Sequence, residues 1–109
     1  MLRCLTVTGL FIALLAALNP AAAADAAAGK AKAGKCAICH GLDGLAKNPD
    51  APNLAGDSAN YIRKQLGAYR KGERKDPQMT IMAKDLSDDD IADLAAWYSS
   101  LKVTVEIPK

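Results

Sequence analysis

Apolar positions beyond residue 25 recur with a helical period in three stretches and without a regular period between them. In 87–101, Ile91, Leu94, Ala95, Tyr98 and Leu101 fall at i, i+3, i+4, i+7 and i+10, which makes one continuous stripe. Ser87 followed by Asp88, Asp89 and Asp90 places a hydroxyl N-cap and three acids at the positive end of that helix, close to a capping box with Asp in place of Glu. In 58–71, Tyr61, Ile62, Leu66 and Tyr69 form a second stripe, with Asp57 or Ser58 as the cap and Gly72 as the stop. Arg63, Lys64, Arg70 and Lys71 make its solvated side. In 26–35 alanine and lysine dominate, Asp25 is the N-cap, and Gly29 and Ala33 leave a small-residue face that another helix can approach closely. Contacts of alanine size do not hold a short helix alone, so this one needs a partner.

The remaining stretches read as irregular. Residues 41–56 are punctuated by Gly41, Gly44, Pro49, Pro52 and Gly56, and a loop of that length in a small domain is functional or wraps around something. Residues 72–85 open with a polar, turn-rich run that ends at Asp76-Pro77. Val103–Ile107 alternates like a strand but has no second run to pair with, and reads as a tail. The expected fold class is all-α.

Ahead of Asp25 the pattern changes character. Arg3, the apolar run Leu5–Leu18 and the small residues Ala21–Ala24 have the three-part form of a secretory signal peptide, residues 1–24, cleaved after Ala24. The run is too short to span a bilayer and ends at Asn19-Pro20. The expected product is one exported domain, 25–109, located in the periplasm. Arg3 is the only charged residue before Asp25, so this domain carries 13 basic and 12 acidic side chains. That balance lacks the clustered basic face of a nucleic-acid binder and gives little long-range steering toward any partner.

Composition narrows the chemistry further. Of three cysteines, Cys4 leaves with the signal peptide, while Cys36 and Cys39 stand with His40, the only histidine, in Cys36-Ala37-Ile38-Cys39-His40. Two cysteines are too few for a disulfide framework, and with one histidine they fall short of a tetrahedral zinc site. A thioredoxin-like pair would need a βαβ setting that the pattern does not offer. C-x-x-C-H reads as a c-type haem attachment site. Thiols at i and i+3 lie about one helical turn apart, on one side of the backbone, where they can form thioethers to two vinyl groups on one porphyrin edge. The adjacent imidazole can then reach the iron. Tethered haem also suits a domain of this size, whose own core is marginal.

A metal-bound histidine normally gives its second N–H to a carbonyl or carboxylate, and the Pro52 carbonyl, in a loop passing His40, is a candidate acceptor. A simple turn proline is the plainer alternative. With one histidine in the chain, the iron's sixth position falls to Met, Lys, Tyr, water or nothing. Met79 and Met82 both qualify by type, and their i, i+3 spacing suits a core face equally well.

Taken in order, the motifs resemble the small class I cytochromes c of bacteria, and the single domains of dihaem cytochromes c. The resemblance rests on Gly29 in a first helix, Cys36–Gly41, Pro52-Asn53-Leu54-Ala55-Gly56, the Y-x-x-x-Q-L run from Tyr61, the Met79 segment, and a last helix entered through Leu86-Ser87-Asp88-Asp89-Asp90-Ile91. Trp97 departs from it, since the family often has a small residue before the aromatic at the position of Tyr98. The resemblance implies a cytochrome c fold of about four helices around one covalently bound haem c. It implies thioethers at Cys36 and Cys39, iron ligation by His40 and Met79 with Met82 as the alternative, the Pro52 carbonyl as acceptor from His40, and Leu54 among the cofactor-binding residues. Its first and last helices cross near the haem. The function implied is a soluble, monomeric one-electron carrier rather than an enzyme, shuttling between respiratory redox proteins such as a cytochrome complex, a terminal oxidase or a reductase by transient contact. Lys35, Lys47, Lys75 and Lys84 are candidates to rim the exposed haem edge. The alternatives are a haem c subunit bound to one oxidase or dehydrogenase complex, and a sensor or peroxidase with an open sixth position.

Overall fold

A computed structural model describes residues 23–109, so the expected signal peptide lies outside the described residues except for Ala23 and Ala24. Five helices follow in order: α1 (Ala26–Lys32), α2 (Gly34–His40), α3 (Ala59–Lys71), α4 (Met79–Ala83) and α5 (Asp88–Ser100). Among the described residues there is no strand, and 103–109 form the irregular tail.

The capping chemistry read from the sequence is in place. Asp25 accepts from the amides of Ala27 at 2.8 Å and Ala28 at 3.4 Å. Ser58 Oγ accepts from Tyr61 at 3.2 Å, and Gly72 closes α3 in the left-handed region at φ 74°. At α5 the box is reciprocal: Ser87 Oγ accepts from the Asp90 amide and Asp90 Oδ2 from the Ser87 amide, each at 3.0 Å.

Two elements differ from the expectation. The first helix does not run to Lys35. The Ala33 amide bonds back to Lys30 O at 3.3 Å, an i→i−3 contact that tightens the last turn, and a separate helix then begins at Gly34 and carries the whole Cys36–His40 motif. The Met79 segment is helical as well. Its signal was present in Asp76-Pro77, an acid followed by a proline that suits the first turn of a helix.

The core forms where α1 and α3 meet α5. Ala33, Ile62, Leu94, Ala95 and Tyr98 make one buried cluster, with Leu54, Leu66, Leu86 and Leu101 packed at its margin. Tyr98 is the largest fully buried side chain. The α1–α5 crossing is close because Gly29 has no side chain: a Cβ there would overlap the Asp93 carbonyl and lie 2.9 Å from Trp97 Cβ. Polar groups lock the crossing. Lys32 Nζ reaches Asp93 at 2.7 Å and Asp90 at 2.9 Å, and the Asp25 amide donates to Asp93 Oδ1 at 2.8 Å. Lys32 first, then the Ser87 amide, pull the Asp90 carboxyl down to about 2, and Lys32 lowers Asp93 in the same way.

Arg70 corrects its assignment to a solvated face. It is half-buried, donating to Leu86 O at 2.9 Å and to Asp88 Oδ1 at 2.6 Å, so it bolts the end of α3 to the start of α5. Helical periodicity places a side chain on a face but is silent about acceptors that another element brings there.

Gly29→Ala forces α5 away from α1 and should lower stability by about 1–3 kcal/mol, the usual cost of overpacking, in a denaturant titration. The acid limb of stability follows from the carboxylates. Asp90 and Asp93 have depressed values in the folded chain, so their contribution is complete above the ordinary 3.8 and drains away as pH falls toward about 2. Thermal midpoints measured across that window should fall steeply for the natural chain and less steeply for Asp90→Asn.

Candidate haem site

Helix α2 sets the two thiols one turn apart on a common side. Both are free and half-buried; Cys36 packs on the core cluster, and burial pushes its thiol up from the ordinary value. His40 closes the helix and is 6% exposed. Its Nδ1 lies 2.8 Å from Pro52 O. A carbonyl has no proton to give, so Nδ1 carries the hydrogen and Nε2 is left with its lone pair. Among the described residues Nε2 has no hydrogen-bond partner, and no buried side-chain nitrogen or oxygen is left unpaired, so Nε2 opens toward free space.

The Pro52 carbonyl is held by a cross-braced loop. The amides of Lys47 and Asn48 return to Cys39 O at 2.8 and 3.3 Å, and those of Leu54 and Ala55 converge on Gly44 O at 2.8 and 3.0 Å. Gly44 sits at φ 72°, and a Cβ there would come within 2.6 Å of Ala55 N, so this tight fold-back requires glycine. Asn53 Oδ1 receives the Ala46 amide at 2.8 Å. Pro52 is itself exposed with its carbonyl turned to His40, while Leu54 is half-buried against the core.

Met79 and Met82 are both half-buried on α4, and Ala83 beyond them is fully buried. Asp76 anchors this segment, a role that periodicity did not reveal. Its Oδ1 accepts from the amides of Gln78 at 2.9 Å and Met79 at 2.8 Å, and its own amide donates to Thr80 Oγ1 at 3.0 Å. The Met79 and Gln78 amides hold the Asp76 carboxyl below its usual range. Lys35, Lys75 and Lys84 are exposed and form no ion pair among the described residues, whereas Lys47 reaches Asp43 at 3.2 Å.

Trp97 and Tyr98, adjacent on α5, hold the chain that leaves the motif. Trp97 Nε1 donates to Leu42 O at 3.1 Å, and the Tyr98 hydroxyl donates to Gly41 O at 3.1 Å. Burial first, then the neighbouring Cys36 and Asp43, push the Tyr98 phenol up to about 12. The expected departure at Trp97 is thus a hydrogen-bond donor, stacked at 5.3 Å by the Lys30 ammonium. A shallow groove of about 460 Å³ beside Trp97, between Leu42 and Leu101, contains none of the candidate ligands.

The donor set fits a haem better than a bare ion. No cluster of three or more His, Cys, Asp or Glu among the described residues can hold a metal. A porphyrin brings four nitrogens of its own and needs from the protein what these residues offer: two thiols, one oriented imidazole and a soft thioether. Large apolar side chains are also exposed on three helices, Ile38 on α2 at 75%, Tyr61 on α3 at 49% and Ile81 on α4 at 69%. No helix among the described residues is long and apolar enough to cross a membrane.

Known proteins agree with this arrangement. The family model described as Cytochrome c matches residues 26–102. Cytochrome c-554(548) of Halomonas halodenitrificans is 54% identical over 81 residues, covering 72% of this chain and 98% of that protein. Cytochrome c4 of Pseudomonas aeruginosa is 46% identical over 84 residues, covering 77% of this chain and 42% of that protein. The crystal structure of reduced recombinant cytochrome c4 from Pseudomonas stutzeri superposes with a TM-score of 0.69 at 41% identity, over 76% of this chain and 48% of that one. The chain therefore spans about half the length of the cytochrome c4 relatives it matches, and about the whole length of the c-554(548) relative. With the all-helical fold, the C-x-x-C-H helix and this match across most of its length, the chain belongs to the cytochrome c family, whose members bind haem c covalently.

Proposed function

We propose that residues 25–109, freed of 1–24 by signal cleavage, carry one covalently bound haem c and act as a soluble one-electron carrier in the periplasm, passing electrons between respiratory redox proteins. The observation that carries this reading is the buried His40, whose Nδ1–H on the Pro52 carbonyl leaves Nε2 as a fixed, outward lone pair. Bound here, the haem supplies an iron that gains or loses one electron.

The chain's own residues do the rest. Cys36 and Cys39 tether one ring edge from a rigid helical turn. His40 would offer its oriented nitrogen to the iron and Met79 its sulfur, with Met82 as the alternative. Asp76 favours Met79, because its carboxylate fixes the Met79 backbone at the start of α4. A thioether donor and apolar surroundings favour the reduced state and a fairly positive potential. Leu54 adds apolar contact from the loop that holds Pro52. Two well-anchored ligands change little on electron transfer, which suits a carrier and leaves no open site for a substrate. Lys35, Lys75 and Lys84, exposed and unpaired in ions among the described residues, are placed for brief contact with a partner, for which a small interface suffices. Lys47, tied to Asp43, contributes less. The carrier acts as a monomer.

Optical spectra with redox titration test the reading. The oxidised protein should show the far-red band of iron–sulfur ligation, lost in Met79→Ala and kept in Met82→Ala. The reverse pattern would move the ligand to Met82. A wild type that lacks the band and binds carbon monoxide when reduced would sink the carrier assignment. In Asp76→Ala the sulfur band should give way at a higher pH on acidification than in wild type. The ionised Asp76 side chain supports Met79 down to below its ordinary range, since its folded value is depressed.

A further inference from the structure

The hydrogen bonds from α5 to the start of the loop have no part in the carrier reading as it stands. Their receiving carbonyls belong to Gly41 and Leu42, the first two residues after His40, and their donors are adjacent residues of the last helix. We propose that Trp97 and Tyr98 are positioning residues for His40: they hold the chain leaving the motif so that the Pro52 carbonyl stays in line with Nδ1, and through that bond they set the donor strength of Nε2. This inference rests on the haem reading above.

The Nδ1–Pro52 bond joins a ring on α2 to a loop residue twelve positions further on, so its length depends on where the loop sits relative to the helix. The chain leaves α2 abruptly at Gly41, with φ 75° and ψ 147°, and a Cβ there would overlap Leu45 O and the Asp43 side chain. Tyr98 fixes the Gly41 peptide and Trp97 fixes the next one. From there the bonds of Lys47 and Asn48 to Cys39 O, and of Leu54 and Ala55 to Gly44 O, leave the loop little slack, so a displacement at 41–42 is passed on to Pro52. A strong hydrogen bond from the protonated ring nitrogen raises the basicity of the ligating one. Loosening it weakens the donor, which favours the reduced iron.

Tyr98→Phe removes one donor and keeps the buried ring. Gly41 O retains the Gly44 amide at 3.2 Å, so the variant has no wholly orphaned carbonyl and should fold. Trp97→Phe removes the indole donor. Lys32→Ala serves as the control, because it removes the ion pairs to Asp90 and Asp93 and leaves the Gly29 packing and every hydrogen bond to the loop in place. All three and the wild type are made in a host that attaches haem c, and covalent haem is confirmed first by its retention through acid–acetone extraction. Solvent exchange of the His40 Nδ1 proton and the midpoint potential are then measured.

Tyr98→Phe should exchange that proton about tenfold faster, the equivalent of one lost hydrogen bond, and raise the potential. Trp97→Phe should shift both in the same direction. Lys32→Ala should lower the thermal midpoint and leave both at wild-type values. If Tyr98→Phe matches wild type in both, or Lys32→Ala moves them as far, the inference alone is overturned. A wild type without covalent haem overturns the carrier reading and this inference with it.

Discussion

The close crossing of α1 and α5 is the constraint from which the rest of the structure follows. It exists because Gly29 presents only backbone to the Asp93 carbonyl, and Lys32 adds ion pairs to Asp90 and Asp93 at its surface. Its consequences run in both directions along the chain. Through buried Ala33 it sets the start of α2 and therefore the direction in which Cys36, Cys39 and His40 are presented. Through α5 it sets Trp97 and Tyr98, whose donors catch the chain just beyond His40. Both ends of the histidine-bearing turn are thus referred to one helix pair, although the residues concerned lie far apart in sequence.

The methionine side is built separately and joined late. Helix α4 packs on α3, and α3 is bolted to the start of α5 by Arg70, whose guanidinium spans Leu86 O and Asp88. Within that frame Asp76 decides where the methionine backbone begins. Two different devices therefore position the two candidate ligands: helix–helix docking with a braced loop for His40, and a capping carboxylate for Met79. The second is the weaker in physical terms, because it rests on partly exposed acid–amide bonds rather than on helix–helix packing.

Legibility in the sequence followed the range of the interaction. Helices α3 and α5, with Ser58, Ser87 and Gly72 as their punctuation, were readable because stripe and cap lie within a few residues of each other. The family, its haem attachment motif and its all-helical fold were readable for the same reason. The split at Ala33 was not, since alanine and lysine are content in one helix or two and the break depends on burial of Ala33 against α5. Arg70 and Trp97 show the same limit. Each is placed on the correct helix by periodicity, yet its task depends on a carbonyl brought from another element. Asp76 is the exception, a local cap visible in Asp76-Pro77 that a pattern of apolar spacing passes over.

The distribution of apolar side chains gives these devices a common purpose. Apart from the aromatic rings, the buried apolar set among the described residues is three alanines, two isoleucines and one leucine, while Ile38, Tyr61 and Ile81 are exposed. A planar ring tethered at Cys36 and Cys39 would add apolar surface to so small a core. The polar contacts then have a different task from stabilising the fold in bulk. They place a small number of donor atoms where the ring needs them and prevent those atoms from shifting. A centre whose ligands do not shift has little to rearrange when one electron arrives or leaves. The same rigidity that compensates for a small core is therefore what electron transfer requires.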